Sequence, residues 1–553
     1  MCGILAAFGT KDYQKAISQS KLLSHRGPDE SDHVLLDHLP TGGILCHERL
    51  SIIDLHTGKQ PIQGSDKKTW MIHNGEIYNH EELRKTLTKG QLAKTKSDSE
   101  IIVHLFEELG TTCVNHFDGV FSFVISKEDK VFAGRDPMGV KPLFYGTSSD
   151  GSLWFASEIK SLVSVCEDIK IFPPGHYYHS DEGFVQYYNP DFYSEDFTPV
   201  HGPERLEELL TKAVKKRLMS DAPLGVLLSG GLDSSLVTSI VVREAKKSGQ
   251  KIKSFSIGMD PNSLDLAKAR KAADFLGTEH HEIIFTVEDG LEALKELIYK
   301  TESYDVTTTR AATPMLIMSK YIASLGVKVV LSGEGADEIF GGYLYFSQAP
   351  SEKEFHDECV RRVKRLHSSD VLRADRATMG AGVEARVPFL DKEFLSYAMS
   401  IHPKYKVIEK EKRCEKYVLR KAFDCHMEPY LPDEVLWRQK EQFSDGVGYS
   451  WIDELKAYAE AKVSDKEMQD AKEIYPHNTP ETKEAFLIRR LWSETYAHSS
   501  TPKLIKRWVP KWQADKDPSG RANKTHVQKY VHIDSIETKE QTGTETQQPS
   551  SQS

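Results

Sequence analysis

The stretch GVLLSGGLDSS, residues 225–235, constrains the fold of this chain more than any other. Its first residues are uninterrupted aliphatics, the pattern of a short strand buried on both faces. The run stops at Ser229-Gly230-Gly231, and Asp233-Ser234-Ser235 then supply the small polar residues that open helices. The alternation continues downstream with IKSFSIGM, a helix near 264–276, HEIIF, helices near 287–300 and 313–325, and VKVVL. Upstream, ERLEELLTKAVKKRLM sets Leu206, Leu209, Leu210, Ala213, Val214 and Leu218 on one helical face. Repeated strand–helix units predict an α/β domain on a parallel sheet with helices on both faces. Beyond residue 350 the pattern is mainly helical.

The same stretch carries chemistry. Glycines at a strand-to-helix turn let the backbone approach a phosphate, while exposed N–H groups and the helix N-terminus favour an anion. Ser229, Ser234 and Ser235 add hydroxyl donors. No lysine follows the glycines, so this is not the loop of γ-phosphoryl transfer. It resembles the SGGxDS loop of ATP pyrophosphatases, which release pyrophosphate and transfer AMP. A capped glycine turn is the plainer alternative, but a cap needs only one such residue. A second strand, VKVVL, ends in Ser332-Gly333, with Glu334, Asp337 and Glu338 just beyond. Ligands of such sheets sit at the carboxyl ends of the strands, so both loops face one cleft. Asp233 and Asp337 suit Mg²⁺ held against phosphates; a solvated helix start remains the alternative for Asp337 and Glu338.

Residues up to about 190 follow another rhythm. GILAAF, GGILCHERLSII, TWMIHNGEIY, GVFSFVIS, KVFAGRD and LWFAS read as short strands, interrupted by helices near 80–87 and 98–109. In the second helix Ile101, Ile102, Leu105 and Phe106 form one apolar face. This predicts a layered α+β domain over 2–190, a linker over 191–203, the α/β domain over 204–532 and a polar, disordered tail over 533–553. At 553 residues the chain exceeds one ordinary core. Its net charge of −10 argues against a nucleic-acid or anionic-membrane binder. It has no apolar run of membrane-spanning length and no leader pattern. Seven cysteines without CxxC spacing point to a reducing, cytoplasmic location. Cys2 follows the initiator methionine. Once that methionine is removed, the residue carries a thiol and an α-amine of pKa about 7.7–8.0, able to activate that thiol. An ordinary strand start is the competing reading.

Taken in order, MCGI, HRGPD, HERLSIIDL, NGEIYNH, SLVSVCEDIKIFPPGH, GVLLSGGLDSS, SYDVTTTR, SGEGADEIFGGYLYF, GVEARVPFLD and WRQKEQFSDGVGYSWID resemble the glutamine-dependent asparagine synthetases, from residue 1 to about 532. The resemblance implies that the first domain is a class II glutamine amidotransferase, an N-terminal-nucleophile α/β/β/α sandwich. Cys2 is its implied nucleophile, releasing ammonia from glutamine through a thioester. Asn74 and Gly75 are the implied oxyanion hole. Arg49, with Leu50, Ser51, Ile52 and Ile53, is implied at the substrate carboxylate, and Glu76 and Asp98 at its ammonium. On residue type alone, Asn74-Gly75 also suits a hairpin turn and Arg49 a surface ion pair.

The second domain then resembles a Rossmann-like ATP-pyrophosphatase that converts aspartate and ATP to β-aspartyl-AMP, which ammonia displaces. The implied ATP contacts are Leu228, Ser229, Gly230, Gly231, Asp233, Ser234, Ser235, Ile257, Ser332, Gly333 and Lys440. Thr307, Thr308 and Arg310 are implied at aspartate, Glu334 at the ammonia attack, and Asp233 and Asp337 at Mg²⁺. A water-excluding passage between the sites and a homodimer are also implied. Thr309, Ala312, Ala336 and Gly380-Ala381 depart from the family pattern without removing a chemical group. A ring-closing relative would lose Cys2, and a silent paralogue would erode Cys2, SGGLDSS or SGEG; all three are intact.

Overall fold

The computed structural model describes residues 2–88, 94–261, 263–409, 412–438 and 449–512. Lys440 and the expected tail at 533–553 lie outside the described residues. The N-terminal strands are β1 (Gly3–Phe8), β2 (Glu30–Leu35), β3 (Gly43–Arg49), β4 (Ile62–Gln63), β5 (Thr69–Ile77), β6 (Gly119–Lys127), β7 (Lys130–Arg135), β8 (Phe144–Thr147), β9 (Leu153–Ala156), β10 (Asp168–Ile171), β11 (His176–His179) and β12 (Gly183–Gln186). They form two six-stranded sheets, β10-β8-β9-β1-β3-β2 and β12-β11-β7-β6-β5-β4.

Side-chain alternation explains the layers. Ile4, Ala6 and Phe8 of β1 meet Ile72, Val124 and Ala133 of the other sheet. Leu5 and Ala7 face outward onto Ala16 of helix α1 (Tyr13–Lys21). On the far side, Met71 and Phe123 pack under Ile101, Ile102 and Leu105 of α3 (Glu100–Leu109), which follows α2 (His80–Thr86). The result is an α/β/β/α sandwich. A strand between two layers is apolar on both faces, which is why GILAAF shows no polar alternation. The sequence reading missed α1, β2 and the short strands β4, β8, β10, β11 and β12; β2 is a largely exposed edge strand without an apolar period.

The second sheet system alternates as expected: α4 (Leu206–Lys216), β13 (Leu224–Leu227), α5 (Leu232–Lys246), β14 (Lys253–Gly258), α6 (Leu264–Leu276), β15 (Glu279–Ile284), α7 (Val287–Thr301), α8 (Val306–Ser324), β16 (Val329–Leu331) and α9 (Ala336–Phe340). A fifth parallel strand, β17 (Glu384–Arg386), follows α10 (Glu352–Arg365) and α11 (Asp370–Met379), inside the region expected to be helical. The order β15-β14-β13-β16-β17 reverses direction at β13, creating a crevice between the loops after β13 and β16.

Helix α8 begins well before the expected position near 313. Asp305 caps it, its Oδ2 accepting from Thr308 N at 2.9 Å. Pro314 lies inside and removes the N–H that would pair with the carbonyl four residues earlier. That carbonyl, on Arg310, instead accepts the indole N–H of Trp451 at 3.1 Å.

The two domains share one interior. The outer face of the β1 sheet and residues such as Phe255, Met315, Ala377 and Trp492 form a continuous apolar cluster. Beside it Arg26 pairs with Glu158 at 2.8 Å and with Asp375 at 2.9 Å, and Arg376 reaches Glu158 at 2.7 Å.

Two predictions follow from this packing. Trp451→Phe removes the indole donor from the buried Arg310 carbonyl, so urea unfolding should show a loss of about 1–3 kcal/mol; a loss no larger than at a surface control contradicts the bond. His47 and His73 are buried, and burial holds each at about 3, below the usual 6.5. The unfolded chain binds protons that the native state refuses, so acid destabilises through these groups from pH 6.5 downward. The stability advantage of the native protein over His47→Gln should therefore shrink by about 1.4 kcal/mol per pH unit below 6.5. A pH-independent difference contradicts the neutral, buried imidazole.

Candidate functional site

Cys2 precedes β1 and is buried. Its backbone nitrogen donates to Asn74 Oδ1 at 2.9 Å, Arg26 Nε donates to its carbonyl at 3.1 Å, and its Sγ lies 4.0 Å from Leu50 O. Burial pushes the thiol pKa up, while the nearby N-terminal charge and Arg49 pull against it. Ionising this thiol therefore requires a base within the pocket. Asn74 and Gly75 lie inside β5, paired with Ser122 and Phe121, rather than in a hairpin turn. Gly75 has φ +149°, and a Cβ there would overlap Val120 O. With Asn74 Oδ1 engaged, its Nδ2 is buried without a hydrogen-bond partner among the described residues.

Arg49 is buried rather than at the surface, with Nη1 on Glu30 at 2.7 Å and Nη2 donating to Asp54 O at 2.6 Å. Leu50 and Ile52 pack with Ile53 against Val329 and Met379 of the second domain. Ser51 N donates to Asp29, which Lys328 also holds at 2.6 Å. Glu76 and Asp98 share the pocket with two residues that the sequence reading did not single out, Glu384 and Arg386 of β17. Arg386 contacts Glu76 at 3.2 Å and Glu384 at 2.6 Å. Asp98 Oδ2 accepts from Ile77 N at 2.8 Å. Burial, reinforced by Glu384, holds Glu76 well above the usual carboxylate range, and burial also raises Asp98. The cluster is rich in carboxylates and suits an added ammonium.

At the crevice of the parallel sheet lies a cavity of about 150 Å³. Leu228, Ser229, Asp233 and Ser234 line it from the loop after β13, and Ser332, Gly333, Glu334 and Asp337 from the loop after β16. Ile257, Phe255 and Leu266 form an apolar end. The serines brace the first loop: Ser229 and Ser234 hydroxyls lie 3.0 Å apart, and Ser229 N donates to Ser234 Oγ at 3.2 Å. Gly230 has φ +69°, with Ala269 N 2.5 Å from where a Cβ would sit. A Cβ on Gly333 would lie 2.8 Å from Ser234 N, so glycine lets the two loops touch. Ser235 is buried behind the loop.

Lys416 links the two loops, its Nζ 2.5 Å from Asp233 and 2.6 Å from Asp337. Its backbone is left-handed, φ +56°, and a Cβ on Gly342 would obstruct its side chain. A left-handed, non-glycine residue whose ammonium bridges two loops is a feature that helical periodicity could not reveal.

Thr307, Tyr343, Asp370, Arg373 and Trp508 also line the cavity. Arg373 Nη2 donates to both Glu334 oxygens at 2.8 Å. Thr308 is engaged with the Asp305 cap. Arg310 is not among the described residues lining the cavity; it forms a bidentate pair with Glu484 at 2.8 and 2.6 Å. Arg373, not Arg310, is thus the guanidinium inside the cavity.

The chain matches the family model described as glutamine amidotransferase domain over residues 1–197, and that described as asparagine synthase over 205–354 and 347–503. It is 49% identical to an asparagine synthetase (glutamine-hydrolyzing) of Triphysaria versicolor, covering 94% of this chain and 93% of that one. It is 50% identical to asparagine synthetase (glutamine-hydrolyzing) 3 of Arabidopsis thaliana, covering 94% of each. A probable asparagine synthetase (glutamine-hydrolyzing) of Schizosaccharomyces pombe is 49% identical, over 95% of this chain and 99% of the relative. With two domain families matched in order and near-half identity sustained along almost the whole length, the chain belongs to the glutamine-hydrolysing asparagine synthetase family.

Proposed function

We propose that this enzyme makes asparagine from aspartate, ATP and the amide nitrogen of glutamine, with Cys2 as the nucleophile and Glu334 at the amidation step. The observation that carries this reading is β17. It is a strand of the nucleotide sheet, yet its Arg386 reaches Glu76 in the pocket of Cys2. One strand therefore belongs to both half-sites.

In the glutamine pocket, removal of Met1 turns the Cys2 nitrogen into an α-amine beside Asn74 Oδ1. The amine takes the thiol proton, and sulfur attacks the glutamine amide carbon. Asn74 Nδ2 and the Gly75 N–H receive the oxyanion, ammonia leaves, and water releases glutamate from the thioester. Arg49 and the 50–53 segment seat the substrate carboxylate, while Glu76 and Asp98 seat its ammonium.

In the cavity, the adenosine lies against Leu228 and Ile257, and the phosphates lie over the 229–235 loop, Ser332 and Gly333; Lys440 is a further phosphate contact that the family resemblance implies. An oxygen of the aspartate side-chain carboxylate attacks the α-phosphorus and pyrophosphate leaves. Thr307, Thr308 and Arg373 orient the acceptor, and Glu334 accepts a proton as ammonia displaces AMP. Arg310, the residue that the family resemblance implies at aspartate, pairs with Glu484. Asp233 and Asp337 fit Mg²⁺: both are hard oxygen donors, and Asp233 Oδ1 is buried without a hydrogen-bond partner among the described residues. Bound there with phosphate oxygens and water, the ion would neutralise charge on the leaving pyrophosphate. A reducing, cytoplasmic setting suits this chemistry, and all seven cysteines are free thiols.

Cys2→Ala is expected to abolish glutamine-driven asparagine formation, by 10³-fold or more, on the scale of losing a covalent nucleophile. Ammonia-driven synthesis should stay within about twofold, since the nucleotide cavity retains its residues. Glutamine-driven synthesis that persists in the variant, or intact Met1 in active enzyme, contradicts the assignment.

A further inference from the structure

Residues 505–512 form a strap without regular secondary structure from Ile505 onward, and its Trp508 lines the nucleotide cavity. Trp508 is 7% exposed and lines the same cavity as Thr307, Asp370, Arg373 and Glu334. Three ties hold it. Its backbone N–H donates to Asp305 Oδ1 at 2.9 Å, while the other oxygen of that carboxylate caps α8 just before Thr307. Arg362 donates to Val509 O at 2.8 Å, and its guanidinium lies 3.9 Å from the Trp508 ring centroid. The Tyr343 ring meets Trp508 at 5.3 Å, edge to face. An indole fixed by a cation, an aromatic edge and a backbone hydrogen bond is a rigid wall rather than a mobile cover. The tie through Asp305 also couples the wall to the helix that carries Thr307.

From this geometry we propose that Trp508 is a specificity-determining residue, closing the acceptor end so that a four-carbon dicarboxylic amino acid fits and its five-carbon homologue does not. The inference rests on the reading of Thr307 and Arg373 as the acceptor end. The chemistry is unchanged by acceptor length: a side-chain carboxylate oxygen attacks the α-phosphorus, pyrophosphate departs, and ammonia displaces AMP. Only the fit decides which acid reacts. A fixed wall excludes one methylene by roughly 10–200-fold in kcat/KM.

The test uses the full-length enzyme with ATP and ammonium as nitrogen donor, following pyrophosphate release and amide product with aspartate and with glutamate. Trp508→Ala should raise the aspartate KM at least 10-fold, leave the ATP KM within twofold and narrow the aspartate-to-glutamate kcat/KM ratio at least 10-fold. Glutamine should appear from glutamate. Trp508→Phe should restore most of the native ratio. Glutamine hydrolysis without ATP, at the distant Cys2 pocket, reports folding. An unchanged ratio in Trp508→Ala, or ATP and aspartate KM values that rise together in both variants, overturns the proposal. Thr307→Val separates the two levels: if it raises the aspartate KM while Trp508→Ala does not, only the wall fails. If neither moves it, the acceptor end itself is misplaced.

Discussion

Charge buried between the domains is the constraint on which both half-sites depend. The Arg386 side chain is fully buried, pairs with Glu384 and Glu76, and donates to the carbonyls of Arg217 and Met219. Arg26 is equally enclosed and bridges Glu158 of the first domain to Asp375 of the second. Separating the domains would strand these groups, and breaking a buried pair costs about 3–5 kcal/mol. Ordinary interdomain contacts carry no such penalty, so relative motion is the usual expectation for two-domain chains. Here the seam also sets the glutamine pocket, because Arg386 and Glu384 govern the electrostatics around Glu76. The first domain's pocket is completed by a strand of the second.

The nucleotide cavity follows from topology. Reversal of strand order at β13 opens the crevice, and Gly230 and Gly333 remove the Cβ atoms that would keep two loops apart. Lys416 then holds Asp233 and Asp337 together from a third segment. The loops are thereby fixed by packing and charge together with their own glycines and serines. The same cavity also holds Arg373 on Glu334 and the strap tied through Asp305.

Much of this was legible in the chain. The apolar run into SGGLDSS specified a buried strand, a glycine turn and a helix start, and the alternating units around it specified the parallel sheet. GILAAF was readable as a strand, though its position between two layers was not. Helix α8 runs through Pro314, although the sequence pattern indicates a helix only near 313–325, and Trp451, far away in sequence, supplies the partner that the proline removes. β17 was hidden because EAR carries two charges and reads as surface; only the fold shows that both are buried and paired. Arg310 and Arg373 are indistinguishable as residue types, and only the fold shows Glu484 beside the one and Glu334 beside the other. Trp508 bears no motif of its own and gains meaning from the cavity it closes.

With the two half-sites locked into one body, we propose that nitrogen released at Cys2 reaches the acceptor without mixing with solvent. The most direct measurement supplies glutamine labelled with ¹⁵N in its amide together with unlabelled ammonium, held below the level that drives synthesis by itself, and reads the isotope in asparagine by mass spectrometry. Asparagine carrying almost entirely ¹⁵N, unaffected by the bulk ammonium, is the predicted result. Label diluted in proportion to the unlabelled ammonium would contradict it, because the two sites would then communicate only through the surrounding water.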